Sequence, residues 1–406
     1  MATRRHVLKG LAATTALTAS PVAMQRAFGA VPGDARFVVV ILRGGMDGLA
    51  AVAPYGDRAY RRQRGDLAMP GPSEENGLRD LDGFFGLHPS LAPLHPLFAN
   101  GELAIAHAVG TQYRERSHFD AQNVLENGTD TPHSRPDGWL NRAIAALDGG
   151  ESPVGLSVGA NVPLIIRGPA RYSTYAPQAL PALTTDFVTR LEAMYRQDPV
   201  LATTLDKAMR SQAMQTEVLG KSAAGMARNR RGGGAAFYRE ALSAAGKLLG
   251  DAHGPRIAVL DTDGWDTHAF QGTTQGALAT QLGYLSEGLT RLQDGLGAAW
   301  RRTAVIVITE FGRTAAINGT KGTDHGTGGV ALLLGGAVAG GRVVTPWPGL
   351  DTRHLYDGRD LAPATDLRSV LKGMLRDHLG IADAHLEERV FPDSRSAQPL
   401  SGLIRT

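Results

Sequence analysis

Arg36-Phe37-Val38-Val39-Val40-Ile41-Leu42 runs directly into Arg43-Gly44-Gly45-Met46-Asp47-Gly48, and this junction decides the fold class. An apolar run without alternation reads as a strand covered on both faces, the pattern of a parallel sheet flanked by helices. The glycines then allow a sharp turn that presents one carboxylate beyond the strand's carboxyl end, where open α/β sheets hold their ligands. An aspartate beside glycine is also ordinary turn chemistry, so Asp47 gains meaning only from the other strand ends.

Working outward, further strands are expected at 103–109, 162–166, 256–260, 303–309 and 330–334, with helical patterns over roughly 117–127, 137–147, 276–299 and 364–379. This alternation implies a three-layer α/β sandwich with a mainly parallel sheet and right-handed crossovers. The stretch from about 183 to 250 departs from it. Phe187, Leu191, Met194, Tyr195, Leu201, Leu205 and Met209 recur at helical spacing, predicting an all-helical insertion over one end of the sheet. Residues 56–86, polar and turn-rich with Arg61, Arg62 and Arg64 close together, read as a long surface excursion.

The segments beyond the strands carry the chemistry. After 103–109 comes Arg116-Ser117-His118, with Ser117 where a helix N-terminus favours an alkoxide or where a serine simply caps. After 256–260 comes Trp265-Asp266-Thr267-His268; in an extended segment Asp266 and His268 project to one side. Glu310-Phe311-Gly312-Arg313 follows 303–309, and Glu310 is either a ligand or an ion-pair partner of Arg313. Asp324-His325 lies among glycines just before 330–334. Asp, Glu and His together are the ligand set of zinc, manganese, iron or calcium. The expectation is therefore one polar nest holding a divalent cation. His88, His95, His354, His378 and His385 lack such a context and are expected to be structural or exposed.

The chain has 42 basic and 39 acidic side chains over 406 residues. Four of the basic ones (Arg4, Arg5, Lys9, Arg26) fall in the first 30 residues, which hold no acid, leaving 38 against 39 in the remainder. The basic excess belongs to the leader, which removes the compositional case for nucleic-acid binding. The absence of cysteine excludes disulfides, thiol catalysis and Cys-ligated metals. Residues 1–30 read as a signal peptide: Arg4-Arg5 before Val7-Leu8-Lys9, a weakly apolar stretch, then Ala27-Phe28-Gly29-Ala30. The paired arginines resemble a twin-arginine export signal, so the export machinery is an expected partner and the periplasm or exterior the expected location. No stretch reaches the ~20 apolar residues of a membrane span.

The stretches Leu42-Arg43-Gly44-Gly45-Met46-Asp47-Gly48, His88-Pro89-Ser90-Leu91-Ala92-Pro93-Leu94, Ala106-His107-Ala108-Val109-Gly110, Arg116-Ser117-His118-Phe119-Asp120-Ala121-Gln122, Gly264-Trp265-Asp266-Thr267-His268, Thr309-Glu310-Phe311-Gly312-Arg313-Thr314 and Gly322-Thr323-Asp324-His325-Gly326 resemble the family known as domain of unknown function 1501. That family lies within the alkaline phosphatase and sulfatase superfamily. The resemblance runs from residue 36 to about 335, and Asp360-Leu361-Ala362-Pro363-Ala364-Thr365-Asp366 extends it. It implies an alkaline phosphatase-like fold over residues 31–406. It also implies Asp47 and Ser117 sharing one metal, and His268 and His325 serving a second with Asp266 in place of the acid that Gly264 replaces. Glu310 and Asp324 are the further candidate ligands. Ser117 would be the nucleophile, beside His118, and Arg43 or Arg313 would grip the anionic group. Glu310-Phe311 stands where the superfamily has Asp-His, which impairs one metal site. The implied activity is metal-dependent hydrolysis of phosphate or sulfate esters, the substrate an anionic small molecule or envelope component. The alternative is a non-catalytic relative that binds an envelope ligand or partner with one or no cation.

Overall fold

The computed structural model describes residues 34–147, 154–176, 185–195, 197–219 and 233–405. Its strands in chain order are β1 (Arg36–Leu42), β2 (Val52–Ala53), β3 (Arg79–Asp80), β4 (Gly86–Leu87), β5 (Leu103–Gly110), β6 (Gly155–Val158), β7 (Tyr172–Tyr175), β8 (Ile257–Thr262), β9 (Thr303–Thr309), β10 (Gly329–Leu334), β11 (Arg342–Val344) and β12 (Thr365–Asp366). Nine of them form one sheet in the order β11-β5-β10-β9-β1-β8-β6-β7, with β12 paired to β5; β2, β4 and β3 form a small second sheet. β10 runs antiparallel to both neighbours, and every other pairing in the large sheet is parallel. Both β5 and β9 therefore point the same way as β1.

The principal helices are α1 (Gly48–Ala51), α2 (Tyr60–Arg64), α3 (His118–Asn127), α4 (Trp139–Leu147), α5 (Thr185–Tyr195), α6 (Pro199–Leu219), α7 (Gly233–Gly250), α8 (Ala277–Leu296) and α9 (Leu367–Leu379). The two-residue period of β1 builds the three layers. Val38, Val40 and Leu42 enter one core with Leu242, Leu248, Leu285 and Leu289 of α7 and α8. Phe37, Val39 and Ile41 enter the other with Leu140 and Ile144 of α4 and Val370 and Leu371 of α9. Each such side chain contributes roughly 1.5–3 kcal/mol on burial, which is why the stretch 37–42 has no polar member.

Three expectations are corrected. The stretch 162–166 is not a strand: Leu164–Ile166 is a short 3-10 turn entered from Pro163, and the less apolar β6 and β7 extend the sheet on that side, with β7 at its edge. Residues 56–86 are only in part a surface excursion. Tyr60, Arg64, Leu67, Met69 and Leu78 are buried, and Tyr60, Met69 and Leu78 join a third core with Leu49, Leu355 and Leu361. Within 183–250, α7 packs on α8 and β8 and belongs to the main helical layer. The expected signal peptide at residues 1–30 lies outside the described residues. Among the described residues no helix is long and apolar enough to cross a membrane.

His107 occupies the middle of β5 with no exposed surface. Its Nε2 donates to the Val52 carbonyl at 2.9 Å, and its Nδ1 accepts from the Ala108 amide at 2.8 Å, so the ring is neutral. Burial pushes its pKa from 6.5 down to about 4. As pH falls below 6.5 the unfolded chain takes up a proton that the folded one refuses until about 4. This imidazole alone should remove roughly 2 kcal/mol of stability between pH 7 and pH 5. Urea unfolding of His107→Gln should show a correspondingly flatter pH slope; parallel curves would refute the assignment.

Candidate metal centre

The strand directions dictate where the chemistry gathers. β1, β5, β8 and β9 end at the same edge of the sheet, and antiparallel β10 begins there. The segments leaving the first four strands and the segment entering β10 thus meet. Two glycines let them interlock. Gly44 has φ +124°, and a Cβ there would lie 2.5 Å from the Asp266 amide nitrogen. A Cβ on Gly326 would lie 2.5 Å from the Arg313 carbonyl carbon.

At this junction His118, Asp266 and His325 each offer a ligand atom within 4.8 Å of the others. His268 adjoins them: its Nε2 is 2.9 Å from His325 Nε2 and 3.1 Å from Asp266 Oδ1. The His118 and His325 Nε2 atoms are each 3.4 Å from an Asp266 oxygen. Every imidazole is held by its other nitrogen. His118 Nδ1 meets Glu310 Oε1 at 2.7 Å, His325 Nδ1 meets the Arg116 carbonyl at 2.8 Å, and His268 Nδ1 meets Asp324 Oδ1 at 3.2 Å. Such outer acceptors fix the tautomer that turns the Nε2 lone pair inward, as around bound metal ions. His118 Nε2 is buried without a hydrogen-bond partner. Imidazoles with one carboxylate are a donor set for a divalent cation of the zinc type, and these residues fit one.

The electrostatics are those of a compact charged cluster. The hydrogen bond to Glu310 raises the His118 pKa, while burial lowers that of His325. Burial opposes ionisation of Asp266, but the Arg313 guanidinium, 2.7 Å away, holds its carboxyl below the usual range. Arg313 is buried, and its Nε and Nη1 have no hydrogen-bond partner among the described residues. The Phe311 ring packs 4.8 Å from the His118 ring and 5.0 Å from that of His325, an apolar wall against both imidazoles.

Several expected residues sit elsewhere. Asp47 is not among the gathered donors. Its buried carboxylate caps α1 through the Leu49 and Ala50 amides, pairs with Arg64 and accepts from Gln271 Nε2 at 2.7 Å. Gln271 in turn accepts from Thr267 and Thr323 at 2.8 Å each, so Asp47 underpins the ligand-bearing loops from below. Arg43 is tied to Glu126 at 2.8 Å and Asp261 at 2.6 Å, which leaves it unsuited to gripping a substrate. Glu310 and Asp324 stand behind histidines instead of facing the centre. Ser117 immediately precedes His118, and its hydroxyl does not cap α3. His118, expected beside the nucleophile, faces the centre as a donor. The sequence reading missed Gln122, which donates to Glu310 at 3.0 Å; its place one helical turn after His118 was the available signal.

A family model described as "Protein of unknown function (DUF1501)" matches residues 34–391. Comparison with curated proteins returns no match. Among solved structures, similarity is found to the zinc complex of the C-terminal periplasmic domain of EcEptC from Escherichia coli, at 12% identity and TM-score 0.35 over 74% of this chain and 73% of that one. It is also found to BT1596, a 2-O GAG sulfatase, at 11% identity and TM-score 0.38 over 90% and 73% of the two chains.

Proposed function

The chain belongs to the DUF1501 family, and from that premise we propose that it is an exported, cation-dependent hydrolase of phosphate or sulfate esters. The observation that carries this reading is the convergence of His118, Asp266 and His325, with His268 beside them and each imidazole tethered through Nδ1. A bound divalent cation, whether zinc, manganese or calcium, would polarise the ester oxygen and acidify a neighbouring hydroxyl. His118, His325 and Asp266 would hold it, and Glu310 and Asp324 would keep two of the imidazoles oriented. We assign Ser117 as the nucleophile. Its hydroxyl is free of helix capping, lies against the Tyr113 phenol and directly precedes His118. Arg313 suits the anionic group, because its guanidinium, 2.7 Å from Asp266, brings a positive charge to the centre. Phe119 and Phe270, 86% and 75% exposed, flank His118 and His268 in the chain and suit a substrate with an apolar or ring-bearing face. The twin-arginine-like leader at Arg4-Arg5 supports a periplasmic or secreted location, and export of folded proteins by that route suits a centre loaded before transit.

A second reading, a non-catalytic binder of an envelope ligand with one or no cation, is favoured by Phe311, which cannot ligate a metal and lies against His118 and His325. Turnover of aryl phosphate and sulfate esters, measured with zinc, manganese and calcium, separates the two. Ser117→Ala should retain the metal and lose at least ~100-fold in kcat, the scale of a missing nucleophile. Unchanged turnover would overturn the nucleophile. Metal binding without hydrolysis of any ester would favour the binder.

A further inference from the structure

We propose that Arg116 and Asp360 form a positioning clamp that sets the cation affinity of the centre by fixing His325. The inference rests on reading that centre as a cation site, and it concerns residues that never face the ion.

Arg116 has φ +60°, the left-handed region that L residues with a long side chain avoid. This conformation places the Arg116 carbonyl 2.8 Å from His325 Nδ1. The same residue's guanidinium is anchored on the far side of the loop. Its Nε donates to Asp360 Oδ2 at 2.8 Å and its Nη2 to Asp357 Oδ2 at 2.9 Å. The Tyr356 ring centroid lies 5.7 Å from it. Asp360 is fully buried, whereas Asp357 is mostly exposed. Asp360 is itself locked by backbone hydrogen bonds with Tyr356 in both directions and by a bridge to Thr314, the neighbour of Arg313. From the same segment Arg359 donates to the His325 carbonyl at 2.5 Å.

The segment 356–360 therefore grips His325 twice: at its backbone through Arg359, and at its ring through the Arg116 carbonyl that Asp360 holds in an unfavourable conformation. A carbonyl acceptor at Nδ1 requires the proton there and leaves the Nε2 lone pair facing Asp266. Without the clamp the Arg116 peptide can relax toward common backbone angles, and His325 loses both tautomer and orientation. Loss of an outer partner of this kind typically weakens metal binding by about 10–100-fold.

The test is zinc affinity of the metal-free mature protein, by competition with a chromogenic chelator. Nitrogen chemical shifts of the His325 ring should be recorded in parallel to report its tautomer. Asp360→Asn and Arg116→Ala should each weaken zinc at least ~10-fold and mix the His325 tautomers; Arg116→Gly should weaken it less, because glycine accepts the positive φ without strain and is not driven toward other angles. Arg116→Lys should recover part of the affinity, and Asp357→Asn should change it less than ~2-fold, as expected of an exposed partner. Wild-type affinity and a single unaltered tautomer in Arg116→Ala would overturn the clamp while leaving the centre standing. A wild-type protein that binds no zinc would overturn the centre itself.

Discussion

Zinc affinity of the mature protein should fall by more than ~100-fold in His118→Ala, Asp266→Ala and His325→Ala alike, exceeding the loss produced by removing an outer hydrogen bond. These three residues supply the donor atoms within 4.8 Å of one another, so each deletion leaves only two of the set. Asp266→Ala should be the most damaging. Its carboxylate offsets the buried Arg313 guanidinium 2.7 Å away, and without it an uncompensated positive charge faces the position of the cation. His268→Ala should cost less, because His268 is more exposed than His118 or His325 and stands beside the trio. Glu310→Gln should fall within about 10–100-fold, since its work is done on His118 Nδ1. Competition titration of the five variants gives the ranking. Equal affinities for all five and the wild type would remove the centre from these residues.

The ranking also shows what the sequence could and could not disclose. The segments after β1, β5, β8 and β9 were legible as one neighbourhood because parallel strands all end at the same edge. His325 was legible only through the glycines around it, since it precedes an antiparallel strand. Which member of each acid–imidazole pair faces inward was not legible. Glu310 and Asp324 have the chemistry of ligands, yet each meets an imidazole Nδ1 and serves as a backing acceptor, Glu310 from a buried position and Asp324 from a half-exposed one. Spacing cannot separate those roles; only the packing of Gln122, Gly44 and Asn318 around the carboxylates does. Phe311 was readable as a departure from the superfamily pattern, but its effect, a ring lying against two imidazoles, required the fold. The strand at 162–166 failed for a simpler reason: a short apolar run entered from proline serves a buried turn as well as a strand.

Arg64 was the most misleading residue, and it carries the largest expected effect on stability. A cluster of three arginines in a polar stretch reads as surface, yet Arg64 is wholly buried while Arg61 and Arg62 are exposed. The α2 helix explains the split. Tyr60 and Arg64 are one turn apart and share its inner face, whereas Arg61 and Arg62 point outward to Glu74 and Asp351. Arg64 is paired with the equally buried Asp47 and also donates to the Thr314 and Ala315 carbonyls at 3.3 and 3.4 Å. Removing one member of such a pair strands the other's charge away from water and costs about 3–5 kcal/mol. Arg64→Ala should therefore lower the unfolding free energy in urea by that amount. Asp47→Asn with Arg64→Met should lose much less, because neither charge is left behind and the asparagine still caps α1. The same variants decide what Asp47 is for. Were it a ligand, the double variant would lose zinc as severely as Asp266→Ala. As an internal brace acting through Gln271, it should leave zinc affinity within a few-fold of wild type while the stability of the single variant collapses, and a stable Arg64→Ala protein would show that the buried pair is not formed.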